Sequence, residues 1–178
     1  MEGVRPEPAI REAGPDDAQA IAEVHVASWR STYRGLLSDA YLDSMSVDEH
    51  ANRWRRLLES ASGNHTFVAE VEGAVVGFAS GGRERDQDPI YIGELYAIYL
   101  LKQRQRMGIG RLLFAAVAER LLELEYPSVL VWVLAANPAR AFYESLGGAY
   151  VRARELEIGG EALEEVGYGW LDTKALVV

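Results

Sequence analysis

The residues with the most chemical potential lie between Gly93 and Leu124, in the stretch GELYAIYLLKQRQRMGIGRLLFAAVAERLLEL. Lys102, Arg104, Arg106 and Arg111 form a local run of positive charge with no acid among them. Gly108 and Gly110 stand where a helix must begin, and no Ser, Thr, Asp or Asn is there to cap it. The first backbone N–H groups of that helix therefore lack a side-chain acceptor. Open N–H groups, the positive end of a helix dipole and neighbouring arginines together favour a phosphate. The plainer reading of a lone GxG is a strand-to-helix turn on a solvated surface, since short motifs match often by accident. Two nucleotide-binding patterns do not fit: a Rossmann turn needs a third small residue where Leu113 stands, and the P-loop pattern G-x-x-x-x-G-K-[ST] is absent. The second candidate is Glu94, a carboxylate opening an otherwise apolar strand. Burial there would raise its pKa and let it accept a proton near neutral pH, whereas at a solvated strand end it would be an ordinary surface acid. His25, His65 and Tyr96 are weaker candidates for the same task.

These residues need elements to position them. Glu94 to Leu101 is almost wholly apolar or aromatic, the pattern of a strand covered on both faces. From Ile109 the apolar residues Leu112, Leu113, Ala116, Val117, Leu121 and Leu124 recur at helical spacing. Before them come a short strand at Ala9 to Ala13, a helix from about Asp17 to Tyr33 opened by Pro15 and Asp16, and a helical region at Ser38 to Ser44. Ser46 with Glu49 then forms a capping box for a helix running to about Glu59. Its arginines Arg53, Arg55 and Arg56 read as a solvated face. Thr66 to Val71 and Ala74 to Gly81 make a hairpin around Glu72-Gly73. After the central helix, Val129 to Leu134 is a buried strand, Asn137-Pro138 opens a short helix ending at Gly147-Gly148, and Tyr150 to Ile158 pairs with Leu163 to Leu171 around Gly159-Gly160. Two strands joined through a helix, here those at Glu94 and Val129, are expected to be parallel neighbours.

The chain has 178 residues, about half of them hydrophobic and a quarter charged, which suits a single domain across 1–178 with a loose arm at 1–8. It contains no cysteine, so disulfides, thiolate metal sites and a cysteine nucleophile are excluded. No serine–histidine–acid arrangement is visible, and no metal site is expected. The net charge of −9 argues against a nucleic-acid partner, whose footprint would be basic. No apolar run approaches the ~20 residues of a membrane span, and no signal-peptide core is present, so a cytoplasmic protein without membrane attachment is expected.

Gln105-x-x-Gly108-x-Gly110 after a strand resembles the acyl-CoA signature of the Gcn5-related N-acetyltransferases (GNAT), and the element order from about Ala9 to the C-terminus is similar to theirs. Asn137, Tyr143 and Gly147 in NPARAFYESLG keep the offsets of a second family motif. The resemblance implies an α/β (α+β) fold, with a mixed, mostly antiparallel sheet of six or seven strands, splayed parallel strands at its centre and flanking helices. It implies acetyl-CoA as co-substrate, with the pyrophosphate on the backbone of Gln105, Arg106, Met107, Gly108, Ile109, Gly110 and Arg111. By the same pattern the Ile98 N–H would polarise the thioester, Leu100 would pair with the pantetheine arm, and Asn137 would hydrogen-bond it while also serving as a helix cap. Glu94 would be the base for an attacking primary amine, although many relatives use a water relay, and Tyr143 the acid for the departing thiolate. Arg106 and Met107 stand where relatives often have Gly and a basic residue, and Ala149 where an aromatic is common. The acceptor, a small-molecule or peptide amine, is expected against the N-terminal helices. Trp29 and Tyr33 there are the candidate binding residues, unless they are simply core aromatics. A homodimer is left open. The alternative to an enzyme is a non-catalytic acyl-CoA-binding regulatory domain, which would have no need of both Glu94 and Tyr143.

Overall fold

The computed structural model describes residues 7–177; the first six residues of the expected N-terminal arm lie outside the described residues. Among the described residues, seven strands form one sheet in the order β1-β2-β3-β4-β5-β7-β6. They are β1 (Ala9–Glu12), β2 (His65–Val71), β3 (Ala74–Arg83), β4 (Gly93–Leu100), β5 (Val129–Leu134), β6 (Ala149–Ile158) and β7 (Glu161–Trp170). Every neighbouring pair is antiparallel except β4 and β5. The hairpin between β2 and β3 turns on Glu72 and Gly73, both at positive φ, as a two-residue turn matched to strand twist requires.

Among the described residues, five α-helices flank the sheet: α1 (Ala18–Thr32), α2 (Asp39–Ser44), α3 (Val47–Glu59), α4 (Ile109–Glu123) and α5 (Arg140–Ser145). Ser38 and Ser46 cap α2 and α3, their hydroxyls accepting from Tyr41 N–H and Glu49 N–H at 3.2 and 3.3 Å. Strand alternation then divides the core. On β2 and β3, Val68 and Phe78 point to one face, where Ile21, Val24 and Trp54 of α1 and α3 cover them. Their neighbours Ala69 and Ala79 point to the other, against Leu113, Val117 and Leu121 of α4. Arg53, Arg55 and Arg56 are exposed on α3, as expected of a solvated face.

The feature that positions the site is at the centre of the sheet. β4 and β5 pair over three residues only, Gly93 with Val129, Glu94 with Leu130 and Leu95 with Val131. β5 stays with β7 along its whole length, and β4 stays with β3, so the two strands part after Leu95. The sequence pattern led us to expect β4 covered on both faces. Gly93, Glu94 and Leu95 are buried, but Tyr96 to Leu100 are only partly so, because the parting strands open a gap beside them.

Candidate active site

The gap is part of a cleft of about 880 Å³ reaching from the start of α4 to β6 and β7. It gathers nearly all of the residues singled out from the sequence: Trp29, Tyr33, Glu94, Ile98, Leu100, Gln105, Arg106, Gly108, Gly110, Arg111, Asn137 and Tyr143 all line it. Met107 is on the surface and the Ile109 side chain is in the core, so only their backbone can serve the cleft.

One end of the cleft is the uncapped start of α4. Gly108 is its N-cap residue at φ +82°, and no side chain caps the helix. The first intrahelical bond there runs from Leu112 N–H to Gly108 O, which leaves the N–H groups of Ile109, Gly110 and Arg111 without a helical partner. Arg106 is also in the left-handed region, at φ +59°, so two reversals of hand fold the Gln105–Gly108 turn back over the helix end. Gln105 Nε2 ties the turn to Leu100 O at 3.2 Å. This is a nest of backbone donors flanked by Arg106 and Arg111, and it fits an anionic diphosphate. The two glycines differ in purpose. A Cβ on Gly108 would meet nothing within 4 Å, so that position needs glycine for its backbone angle. Gly110 has ordinary helical angles, and a Cβ there would lie 3.4 Å from the Phe142 ring.

Along the gap, the direction of the β4 N–H groups follows from the ladder. Leu101 N–H donates to Val76 O on the β3 side at 2.9 Å. Antiparallel alternation then turns the N–H groups of Leu100 and Ile98 the other way, into the gap from which β5 has withdrawn. They are unpaired donors on a rigid strand, suited to the carbonyl oxygens of an extended chain.

Three polar groups stand around the gap. Glu94 is only 1 % exposed, and its carboxylate accepts from the backbone N–H of Arg85 at 3.1 Å and from Arg85 Nε and Nη2. Arg85 was not foreseen from the sequence. It lies in the β3–β4 connection, and its guanidinium also covers the Tyr96 ring at 4.6 Å. Tyr143 is buried, and its hydroxyl makes no hydrogen bond among the described residues. Burial, reinforced by Tyr33 nearby, raises its pKa above the usual phenol value, so it carries its proton throughout the physiological range. Asn137 is committed in two directions: its Oδ1 accepts from Ala139 N–H at 2.8 Å, capping the turn before α5, and its Nδ2 donates to Tyr33 Oη at 3.1 Å. The expected helix cap is not formed: α5 begins at Arg140 with Ala139 as its N-cap residue, and Asn137 closes a turn two residues ahead of it, with one amide hydrogen to spare. Phe142 and Tyr143, adjacent on α5, both line the cleft, Phe142 beside Gly110 and Tyr143 deeper.

The other end of the cleft was largely hidden in the sequence. Trp29 and Tyr33 form one wall, their rings edge-on at 4.8 Å. Trp132, Arg154, Leu156, Ile158 and Glu165 from β5, β6 and β7 form the facing wall. Of the other N-terminal aromatics, Tyr41 packs against Gly159 and Trp54 lies in the core between α1 and α3, donating its indole N–H to His25 Nδ1 at 3.2 Å. His25 and His65 do not line the cleft, and Tyr96 lines it with its hydroxyl given to Arg83 O.

A mixed sheet that parts at its centre beside an uncapped, glycine-entered helix is the architecture of an acyl-CoA-dependent N-acetyltransferase. The chain belongs to the acetyltransferase (GNAT) family, whose sequence pattern matches residues 21–148. It is 45 % identical over 168 residues to the uncharacterized N-acetyltransferase YuaI of Bacillus subtilis, covering 94 % of this chain and 95 % of that one. Its fold is similar to that of the PaiA N-acetyltransferase of Thermoplasma acidophilum in complex with coenzyme A (TM-score 0.69, 21 % identity, 89 % of this chain and 98 % of that one). It is also similar to YncA of Salmonella typhimurium, solved with acetyl-CoA (TM-score 0.68, 22 % identity, 93 % and 95 %).

Proposed function

We infer that this acetyltransferase moves the acetyl group of acetyl-CoA to a primary amine of a small molecule or peptide, by direct attack while both substrates occupy the cleft. The observation that carries the reading is the placement of Glu94 and Tyr143 on the walls of one gap whose floor is the free N–H edge of β4.

The residues divide the work as follows. The N–H groups of Ile109, Gly110 and Arg111, with Arg106 and Arg111, hold the diphosphate of the co-substrate. Leu100 N–H binds the pantetheine arm, and Ile98 N–H donates to the thioester carbonyl, stabilising the negative charge that grows on its oxygen as the amine adds. Glu94 accepts the proton that the amine must lose, directly or through one water. The new C–N bond forms as the C–S bond breaks, and Tyr143 gives its proton to the departing thiolate. A phenol held above its usual pKa is a reluctant acid, but it is always protonated, so it is always loaded for that step. Trp29 and Tyr33 bound the acceptor on the α1 side. The reaction so described belongs in the cytoplasm.

The test is release of CoA thiol from acetyl-CoA with a panel of amines, with the acetylated product identified by mass. Thiol release matched by product supports the reading. Tight acetyl-CoA binding with no thiol from any amine would favour a regulatory domain that kept the fold and lost turnover.

A further inference from the structure

The acceptor half of the cleft contains two carboxylates, and each already has an arginine. Glu165 of β7 is buried and accepts from Arg154 Nε. Arg154 in turn gives Nη1 to Asp86 and lies face-on over Trp132, 3.9 Å from its ring centroid. It is therefore fixed on two edges and one face. Glu94 has Arg85 as its side-chain partner, through Nε and Nη2. Arg85 is less committed: its side chain is 56 % exposed, and its Nη1 makes no hydrogen bond among the described residues.

An ammonium group entering this space finds no unpaired carboxylate among the described residues. To lie against Glu94 it must take the place of the Arg85 guanidinium. A simple amine would do so at the cost of leaving that guanidinium without its partner, and separating one member of a partly buried ion pair is unfavourable. An amine that brings its own anion avoids this. Its anion accepts from the fork of Arg85 while its nitrogen takes over the Glu94 carboxylate, so two pairs replace one and no charge is left alone. The planar guanidinium, seated on Tyr96, suits a two-oxygen anion.

We propose that the acceptor is an amine bearing an anionic group close to its nitrogen, a carboxylate or a phosphonate, and that Arg85 binds that anion. This rests on the acetyltransferase reading of the cleft given above. It makes Arg85 a determinant of substrate choice as well as the partner of Glu94 in the absence of acceptor.

The experiment compares L-α-amino acids with their carboxamides, their decarboxylated amines and their aminophosphonate counterparts, by thiol release from acetyl-CoA with the intact protein. For the best side chain, the carboxylate or phosphonate form should exceed the carboxamide in kcat/KM by about tenfold or more, and the better of the two anions identifies the source. Arg85→Gln should reduce that ratio to near one, chiefly by raising KM for the anionic substrate, and Arg85→Lys should restore part of it. Circular dichroism melts of both variants check that the fold is kept. If the Gln variant does not fold, the substrate ratio of the wild type and of the Lys variant decides. Equal or better use of the carboxamides overturns the proposal. So does an equal loss on charged and uncharged substrates in Arg85→Gln, which would make Arg85 a positioning residue for Glu94 only. Absence of thiol release from every compound would overturn the acetyltransferase reading as well, and is distinguished from the other outcomes by the zero rate.

Discussion

Replacing Gly108 by alanine separates two physical accounts of the phosphate turn. If the position were simply the first turn of a helix, alanine would stabilise the protein, by roughly 0.5–1 kcal/mol. The backbone angle reverses that sign. Gly108 is at φ +82°, where an L-residue pays about 1–2 kcal/mol, offset by about 0.4–1 kcal/mol from the stiffer unfolded chain. The net loss is at most about 1.6 kcal/mol, a fall in Tm of up to about 6 °C for a domain of this size. No atom obstructs the new methyl group, so the loss is backbone strain and not a clash. The same strain tilts the N–H groups of Ile109 to Arg111, so acetyl-CoA should bind about tenfold more weakly or worse. Gly110→Ala is the control: with helical angles and Phe142 at ordinary contact distance, its Tm should hold or rise slightly. Thermal melts with and without CoA, together with calorimetric titration of acetyl-CoA, read both quantities. A Gly108→Ala protein that melts at or above wild type and binds acetyl-CoA unchanged would refute the reasoning.

Three further outcomes are expected. Glu94→Gln should lower kcat by about 10²–10⁴ at neutral pH with partial rescue as the pH rises, whereas a mutant-to-wild-type ratio that stays flat with pH would assign Glu94 to structure alone. Tyr143→Phe should keep acetyl-CoA affinity and lower kcat by about 10² if thiolate protonation limits the rate; a raised KM for acetyl-CoA with unchanged kcat would make the hydroxyl a binding group instead. His25, pushed down to about 4 by burial with His50 and Arg53 nearby, should make the fold acid-sensitive. Above about pH 6.5 neither folded nor unfolded His25 is protonated. Between there and about pH 4 only the unfolded chain takes up the proton, so stability falls with pH by up to about 1.4 kcal/mol per unit. His25→Gln should flatten that part of a Tm-against-pH curve, and an unchanged slope would contradict it.

Local pattern made most of the fold legible. Ser46 with Glu49 announced a helix by its capping box, Glu72-Gly73 announced a hairpin by turn chemistry, and β4, α4 and β5 were readable from hydrophobic period. Element boundaries agree to within two or three residues because each is set by a nearby cap, glycine or proline. The uncapped start of α4 was legible for the same reason, since an absent cap is a local fact. The backbone angle of Gly108 was not, because a glycine in sequence does not say whether it serves freedom, space or close approach. What stayed hidden depends on pairings distant in sequence. Arg85 meets Glu94 only because the β3–β4 connection folds back over the strand it precedes. Asn137 meets Tyr33 from 104 positions further along the sequence. Trp132, Arg154 and Glu165 became one wall through the β5-β7-β6 order, which places the last hairpin beside β5. Arg85 gave little local signal, being with Arg83 one of two cations in the stretch RERDQDP ahead of Glu94.

The central claim is that both substrates occupy one cleft and the acetyl group crosses directly between them. Initial rates measured over a grid of acetyl-CoA and acceptor concentrations test it most directly. Double-reciprocal lines that intersect, with no acetylated protein detected by intact mass in the absence of acceptor, are the predicted result. Parallel lines accompanied by an acetylated enzyme would show a covalent intermediate and contradict it.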